Sequence, residues 1–218
     1  MSEDRESIRA NYDRLAEEYT KHVAGELANK PLDCEFLVRF ADSVRGRGPV
    51  CDMGCGPGHI ARFLHDAGAN VSGLDLSPRM LAEARRLNPS VDFREGNLLA
   101  LDLADGSLAG ITAFYAIVNI RIDALPQVFA GMARVLAPGG LLLLAFHIGG
   151  ERLQPESLWG IAVDMDFYFF DPREIERLLV AAGFTLEETI EREPYSPPIE
   201  YQSRRAYIFA RKPSVPSA

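Results

Sequence analysis

Val50-Cys51-Asp52-Met53-Gly54-Cys55-Gly56-Pro57-Gly58-His59 runs from an apolar strand into a glycine turn and out into a helix. Glycines at alternate positions strip that turn of Cβ atoms, so a ligand can lie against bare backbone at a helix N-terminus. The turn is not a dinucleotide fingerprint, because G-x-G-x-x-G would need its third glycine where His59 stands. A phosphate-cradling G-x-x-x-x-G-K-S/T run is absent too. Asp52 sits at the strand end among apolar residues. A carboxylate there is unfavourable unless donors or a cation satisfy it, which suits the ammonium of an amino-acid moiety.

Downstream, the next strand ends Gly73-Leu74-Asp75-Leu76, with Asp75 21 residues after Gly54. Open α/β sheets bind ligands at the carboxyl ends of their strands, and a carboxylate there can accept both hydroxyls of a ribose. An acid before Ser77-Pro78 also caps turns, but the glycine turn upstream favours nucleoside binding. Apolar runs at Val50 to Met53, Val71 to Leu76, Val91 to Arg94, Ile111 to Val118 and Leu141 to Phe146 read as strands. They alternate with helices. Ile60/Phe63/Leu64/Ala67 and Leu125/Val128/Phe129/Met132/Val135/Leu136 keep helical spacing, Ser77-Pro78 starts a third helix, and Asp171-Pro172-Arg173-Glu174 a fourth that ends at Gly183. Thr185 to Ile190 and Ala206 to Ala210 then read as an antiparallel edge hairpin. The expected fold is a Rossmann-like, doubly wound α/β domain over residues 1–218, with a mostly parallel seven-stranded sheet.

Upstream, residues 1–48 read as a helical cap of two helices, Glu3 to Lys21 and Leu32 to Val44. Residues 49–147 form the cofactor-binding half, 171–212 the C-terminal helix and strands, and 213–218 a loose tail. Between them, 148–170 has weak periodicity, Pro155 and the only tryptophan, Trp159, and reads as a lid or acceptor segment.

Composition bounds the function. The 218 residues carry 31 acidic against 23 basic side chains, a net charge of −8, with 47% hydrophobic and 25% charged residues. These values exclude disordered, collagen-like and coiled-coil classes, and the acidity disfavours nucleic acid. No run reaches the ~18 apolar residues of a membrane span, and Met1-Ser2-Glu3-Asp4-Arg5-Glu6 is not a signal peptide, so a cytoplasmic monomer or homodimer is expected. Cys34, Cys51 and Cys55 make neither a CxxC pair nor a disulfide framework, and no metal site is expected.

The apolar-acidic-x-G-x-G-x-G pattern, with Asp75 after it, resembles the class I S-adenosylmethionine-dependent methyltransferases, and residues 8–212 can be laid on that family. The resemblance implies that Gly54, Gly56 and Gly58 approach the methionine end and adenosine, that Asp52 helps hold the ammonium indirectly, and that Asp75 binds the ribose. Leu76 and Met80 would flank the adenine, and Asn97 would accept from its amino group. Cys55 and Leu98 belong to the same expected contact set, although Cys51 and Cys55 also read as small residues for close packing. Tyr12 and Tyr19, seven apart, match the family's cofactor-covering helix, with plain packing as the alternative. The implied cofactor is S-adenosyl-L-methionine, its product S-adenosyl-L-homocysteine, and the acceptor a small apolar or aromatic molecule. RNA or protein methylation and a noncatalytic binding module are the alternatives.

Methyl transfer needs alignment of acceptor, methyl and sulfur, and a base only where the acceptor must lose a proton. His147, next to the fifth strand, is the expected base candidate, with a hydrogen-bonded structural role as the alternative. Tyr115 and Asn119 would orient the acceptor; many small-molecule relatives carry histidine where Asn119 stands. Phe167-Tyr168-Phe169-Phe170 cannot all face one core from a strand, so part of this run is expected to line an acceptor pocket. Arg121, Arg204 and Arg205 are expected at the solvated surface, with clamping of an acceptor carboxylate as the alternative.

Overall fold

The structure, a computed structural model, describes residues 2–214, with side chains from Arg5 onward. The tail expected to be loose lies, from 215, outside the described residues. Seven strands form one sheet: β1 (Val50–Met53), β2 (Val71–Asp75), β3 (Asp92–Glu95), β4 (Leu108–Phe114), β5 (Leu136–His147), β6 (Thr185–Arg192) and β7 (Arg205–Arg211), in the order β6-β7-β5-β4-β1-β2-β3. β1 to β5 run parallel, while β7 is antiparallel to both β5 and β6. The chain's direction reverses between β1 and β4: β2 and β3 lie on one side of β1, β4 and β5 on the other. Such a switch point opens a crevice at the carboxyl ends of the strands.

Six α-helices accompany the sheet: α1 (Ser2–Val23), α2 (Pro31–Val44), α3 (His59–Asp66), α4 (Pro78–Leu87), α5 (Leu125–Val135) and α6 (Pro172–Ala181). Alternation along the strands explains their layering. Leu142, Leu144 and Phe146 of β5 pack with Val128, Met132 and Ile175 of α5 and α6, whereas Leu141, Leu143 and Ala145 pack with Phe40, Leu64 and Leu81 of α2, α3 and α4. Both faces of the central strands are therefore buried, which is why they read as continuous apolar runs. Ser77 caps α4 by accepting from the Met80 amide, and Asp171 caps α6 by accepting from that of Arg173.

Two expectations need correction. The fourth strand ends at Phe114 rather than Val118, because Tyr115 adopts φ +55° and turns the chain off the sheet. β5 begins at Leu136 rather than Leu141, through an irregular register beside β4 where Gly139 has φ +76°. In the long connection after β5, Arg152–Leu153 pairs with Phe167–Tyr168, and Ser157–Leu158 with Ile161–Ala162. Here side chains interlock rather than repeat. Leu15 of α1, Val163 and Met165 make a small core of their own, separate from those flanking the sheet.

Candidate active site

At the carboxyl end of β1 the amides of Gly54 and Cys55 both donate to the Leu74 carbonyl, at 2.7 and 3.1 Å, folding the turn over β2. Gly54 has φ +70°, and a Cβ there would meet the Ala116 Cβ at 2.6 Å, so only glycine lets the turn after β4 pack this closely. Asp75 locks the arrangement: its carboxylate accepts from the Gly56 amide and from the Ser77 amide, each at 2.8 Å. Burial pushes its pKa up, while these backbone donors favour the charged form. Each carboxylate oxygen keeps a further lone pair for a ligand.

A cavity of about 780 Å³ opens above this floor. Tyr12, Tyr19, Gly54, Gly56, Asp75, Leu76, Met80, Asn97 and Leu98 line it, as do Tyr115 and Asn119 toward the far end. The Asn97 side-chain oxygen also accepts from the Leu99 amide at 3.0 Å, shaping its own turn.

Asp52, Cys55, Gly58 and His147 do not line the cavity. Asp52 is buried beneath the turn, where one oxygen accepts from the Thr112 hydroxyl at 2.8 Å and the other has no hydrogen bond; burial pushes its pKa up to about 7. Gly58 begins α3, and a Cβ on it would strike Phe93 at 2.6 Å. Cys55 is a buried packing residue under the turn.

His147 stands apart from the cavity lining, in surroundings that disfavour a base. Its Nδ1 lies 2.7 Å from the Ser203 hydroxyl, and its ring stacks on Phe169 at 4.8 Å, with Tyr115 4.9 Å away. Burial, reinforced by the Arg205 guanidinium, pushes its pKa down to about 3, so the ring is a weak base held outside the cavity. Arg205 is itself a correction, being 2% exposed, whereas Arg204 stays at the surface with Glu191. Arg121 carries an exposed side chain paired with Asp123 at 2.9 Å, yet reaches the cavity wall. Arg205 and Lys30 share Glu200 at 3.5 Å, and Arg192 bridges Glu200 and Asp33. These buried charges are paired, as burial requires. Their cations lie 5.6 Å (Arg205) and 5.9 Å (Lys30) from the centre of the Tyr115 ring.

The roof joins α1 to the segment after β5. Asn11 donates to the Asp164 carbonyl and accepts from the Asp164 amide, both at 2.9 Å. The Tyr12 hydroxyl donates to Asn119 Oδ1 at 2.7 Å, and Asn119 Nδ2 donates to the Asp166 carbonyl at 2.7 Å. Trp159, at the tip of a short hairpin, stacks on His22 at 4.5 Å and meets Tyr19 edge-on at 5.6 Å. The four consecutive aromatics separate: Phe167 joins the small roof core, Tyr168 lines the cavity, Phe169 covers His147, and Phe170 packs on Phe146. Asn11 and Asp166 escaped the sequence reading. A buried polar residue on the same α1 face as Tyr12 and Leu15 was a usable signal for Asn11; nothing in the irregular 148–170 stretch singled out Asp166.

The floor and its carboxylate point to a class. The family model described as "Methyltransferase domain" matches residues 50–140, and the chain is similar there to the class I S-adenosylmethionine-dependent methyltransferases. Among relatives, malonyl-(acyl-carrier protein) O-methyltransferase of Pectobacterium atrosepticum is 30% identical over 159 residues, 66% of this chain and 61% of that one. Demethylmenaquinone methyltransferase of Chlorobaculum parvum is 31% identical over 154 residues, 64% and 59% of the two chains. The chain thus spans less than two thirds of the length of these relatives. The DhpI–SAH complex shares the fold, with a TM-score of 0.73 at 20% identity over 96% of this chain and 97% of that one.

The residues present fit S-adenosyl-L-methionine, the cofactor of that family. Asp75 presents lone pairs that can accept from ribose hydroxyls, the Gly54/Gly56 turn leaves a Cβ-free cradle, and Leu76 and Met80 offer apolar walls for a base. Among the described residues no group of three His, Cys, Asp or Glu side chains could hold a metal ion, and no helix is long and apolar enough to cross a membrane.

Proposed function

We propose that this chain transfers the methyl group of S-adenosylmethionine to a small organic acceptor with an apolar or aromatic body. The observation that carries the reading is the continuity of the cavity: it runs without interruption from Asp75 and Met80 to Asn119, Met165 and Tyr168 under the roof. When bound, the cofactor supplies an electrophilic methyl on a sulfonium, and the protein's part is alignment and exclusion of water. Asp75 and the glycine turn fix the nucleoside end; Tyr12 and Tyr19 close over it from α1. Asn119, tied to both Tyr12 and Asp166, fixes the distance between roof and floor, and Tyr115 and Tyr168 bound the acceptor end.

Among the described lining residues there is no histidine, cysteine or lysine. Burial pushes the pKa values of Tyr12, Tyr19 and Tyr115 up, so these phenols stay protonated near neutral pH. Besides Asp75, the described lining holds three carboxylates, Asp123 paired with Arg121, Asp164, and Asp166 accepting from the Tyr168 hydroxyl, so the reading favours an acceptor that arrives nucleophilic, such as a neutral amine, a thiolate or a carboxylate, over an unactivated alcohol unless Asp164 or Asp166 takes its proton. His147 has no step in it. The test supplies methyl-labelled cofactor with separated small-molecule, RNA and protein fractions of a cell extract. Label is expected in the small-molecule fraction; label confined to RNA or protein overturns the acceptor class, and no transfer to any fraction overturns the activity.

A further inference from the structure

We propose that the Asp166 carboxylate takes the proton of the acceptor, and that the acceptor reacts through a neutral hydroxyl. The inference rests on the small-molecule reading and deepens it, naming the reacting group and the residue that serves it.

Of the carboxylates in the lining, Asp75 belongs to the floor, Asp123 is exposed and paired with Arg121, and Asp164 is exposed with its backbone held by Asn11. Asp166 differs from all three. Its side chain is 25% exposed, and its backbone is tied to the turn after β4. Asn119 Nδ2 donates to its carbonyl at 2.7 Å, and two residues on, the Tyr168 amide donates to the Val118 carbonyl at 2.6 Å. The Tyr168 hydroxyl fixes the carboxylate itself, donating to Oδ2 at 2.9 Å, while Oδ1 is buried without a hydrogen bond, 3.5 Å from Arg152 Nε. Asn119 also accepts from the Tyr12 hydroxyl, so Asp166 is anchored where the roof meets the acceptor end of the cavity.

The charges around it select the acceptor. Asp166, Asp164 and Asp123 repel a thiolate or a carboxylate, whereas Arg152 and Arg121, whose charges both act on Tyr168, oppose an ammonium. A neutral hydroxyl meets neither obstacle and can donate to a remaining carboxylate lone pair. In the reaction the acceptor oxygen bonds to the methyl carbon as the methyl–sulfur bond breaks. That bonding pair stays on sulfur, and the hydroxyl proton passes to Asp166. The products are a methyl ether and S-adenosylhomocysteine, and the neutral carboxyl then gives its proton to water. A base so placed contributes about 10²- to 10⁴-fold to the rate.

Turnover of the intact chain with methyl-labelled S-adenosylmethionine and the small-molecule fraction of a cell extract tests this. Label is expected in a product that survives alkaline hydrolysis and carries the methyl on oxygen. Asp166→Asn should lower turnover by about 10²- to 10⁴-fold while affinity for S-adenosylhomocysteine stays within about twofold. Its residual rate should climb about tenfold per pH unit between pH 7 and 9, as hydroxide replaces the missing base, a slope the unaltered chain lacks. Asp166→Glu should recover part of the turnover. Tyr168→Phe removes the same hydrogen bond but keeps the carboxylate, so it should cost less than Asp166→Asn and leave the pH profile flat. Turnover of Asp166→Asn within about threefold of the unaltered chain, an equal loss in Tyr168→Phe, or label on nitrogen, sulfur, carbon or a base-labile ester overturns the proposal. Label in no small-molecule product with the unaltered chain overturns instead the reading on which it rests.

Discussion

The floor of the cavity, from Val50 to Leu98, is shaped by backbone: strands buried on both faces deliver a turn whose amides are held by Leu74 and Asp75. The roof, α1 with residues 148–170, is held by side chains: the Asn11–Asp164 pair, the Tyr12–Asn119–Asp166 chain and the small Leu15, Val163 and Met165 core. A floor of that kind tolerates few residue types, since a Cβ on Gly54 or Gly58 would meet Ala116 or Phe93 at 2.6 Å. A roof fastened by a few hydrogen bonds and a small core opens at lower free energy than the sheet does. The difference teaches how one chain can hold a ligand accurately and still admit it.

Breaking the floor gives the largest expected effect. Asp75→Ala removes charge-assisted hydrogen bonds to a ribose, each worth about 1.5–3 kcal/mol, and also frees the Gly56 and Ser77 amides. Affinity for S-adenosylhomocysteine should fall at least about tenfold by calorimetry. An unchanged affinity would remove the floor from the cofactor site.

Next comes the pH response of the floor. Burial raises Asp52 from 3.8 to about 7, so the folded chain binds that proton more tightly than the unfolded one. The stabilisation is fully present below about pH 4 and is lost as pH rises through about 7, a change on the order of 2–4 kcal/mol. Thermal unfolding of the ligand-free chain at pH 5 and pH 8.5 should show Asp52→Asn gaining relative stability at the higher pH. A parallel pH dependence of the two proteins would contradict this.

Much of the floor was legible because its physics is local. Glycines at 54 and 56, an acid ending β2 and apolar runs between them are short-range patterns. The roof was not, because its determinants are pairs far apart in sequence, such as Asn11 with Asp164, in a stretch without period. His147 was hard to read for a related reason. Its place at the strand end is visible in the sequence, but Ser203 and Arg205, which hold it and disfavour its charge, arrive with β7 and the loop before it, far along the chain. Arg205 misled in the same way, since only the fold reveals the Glu200 that pairs it.

Loosening the roof has a smaller expected effect. Asn11→Ala deletes its hydrogen bonds to Asp164 and should destabilise the chain by about 1–2 kcal/mol in denaturant unfolding. Cofactor affinity should drop less than for Asp75→Ala. A larger drop would make the roof, not the floor, the main binding element.

The smallest effect on turnover is expected at His147. His147→Gln can keep a hydrogen bond to Ser203, so turnover should stay within about threefold and the pH–rate profile should keep its shape. A fall of about a hundredfold with loss of a titration would restore His147 as a base.

The contrast between floor and roof is tested most directly by hydrogen exchange with and without saturating S-adenosylhomocysteine. The account predicts that amides of residues 7–19 and 157–168 exchange measurably in the free chain and slow by at least about tenfold on binding, while β1 and β4 are already protected and change little. Equal protection of both regions before binding, or slowing confined to the strands, would contradict it.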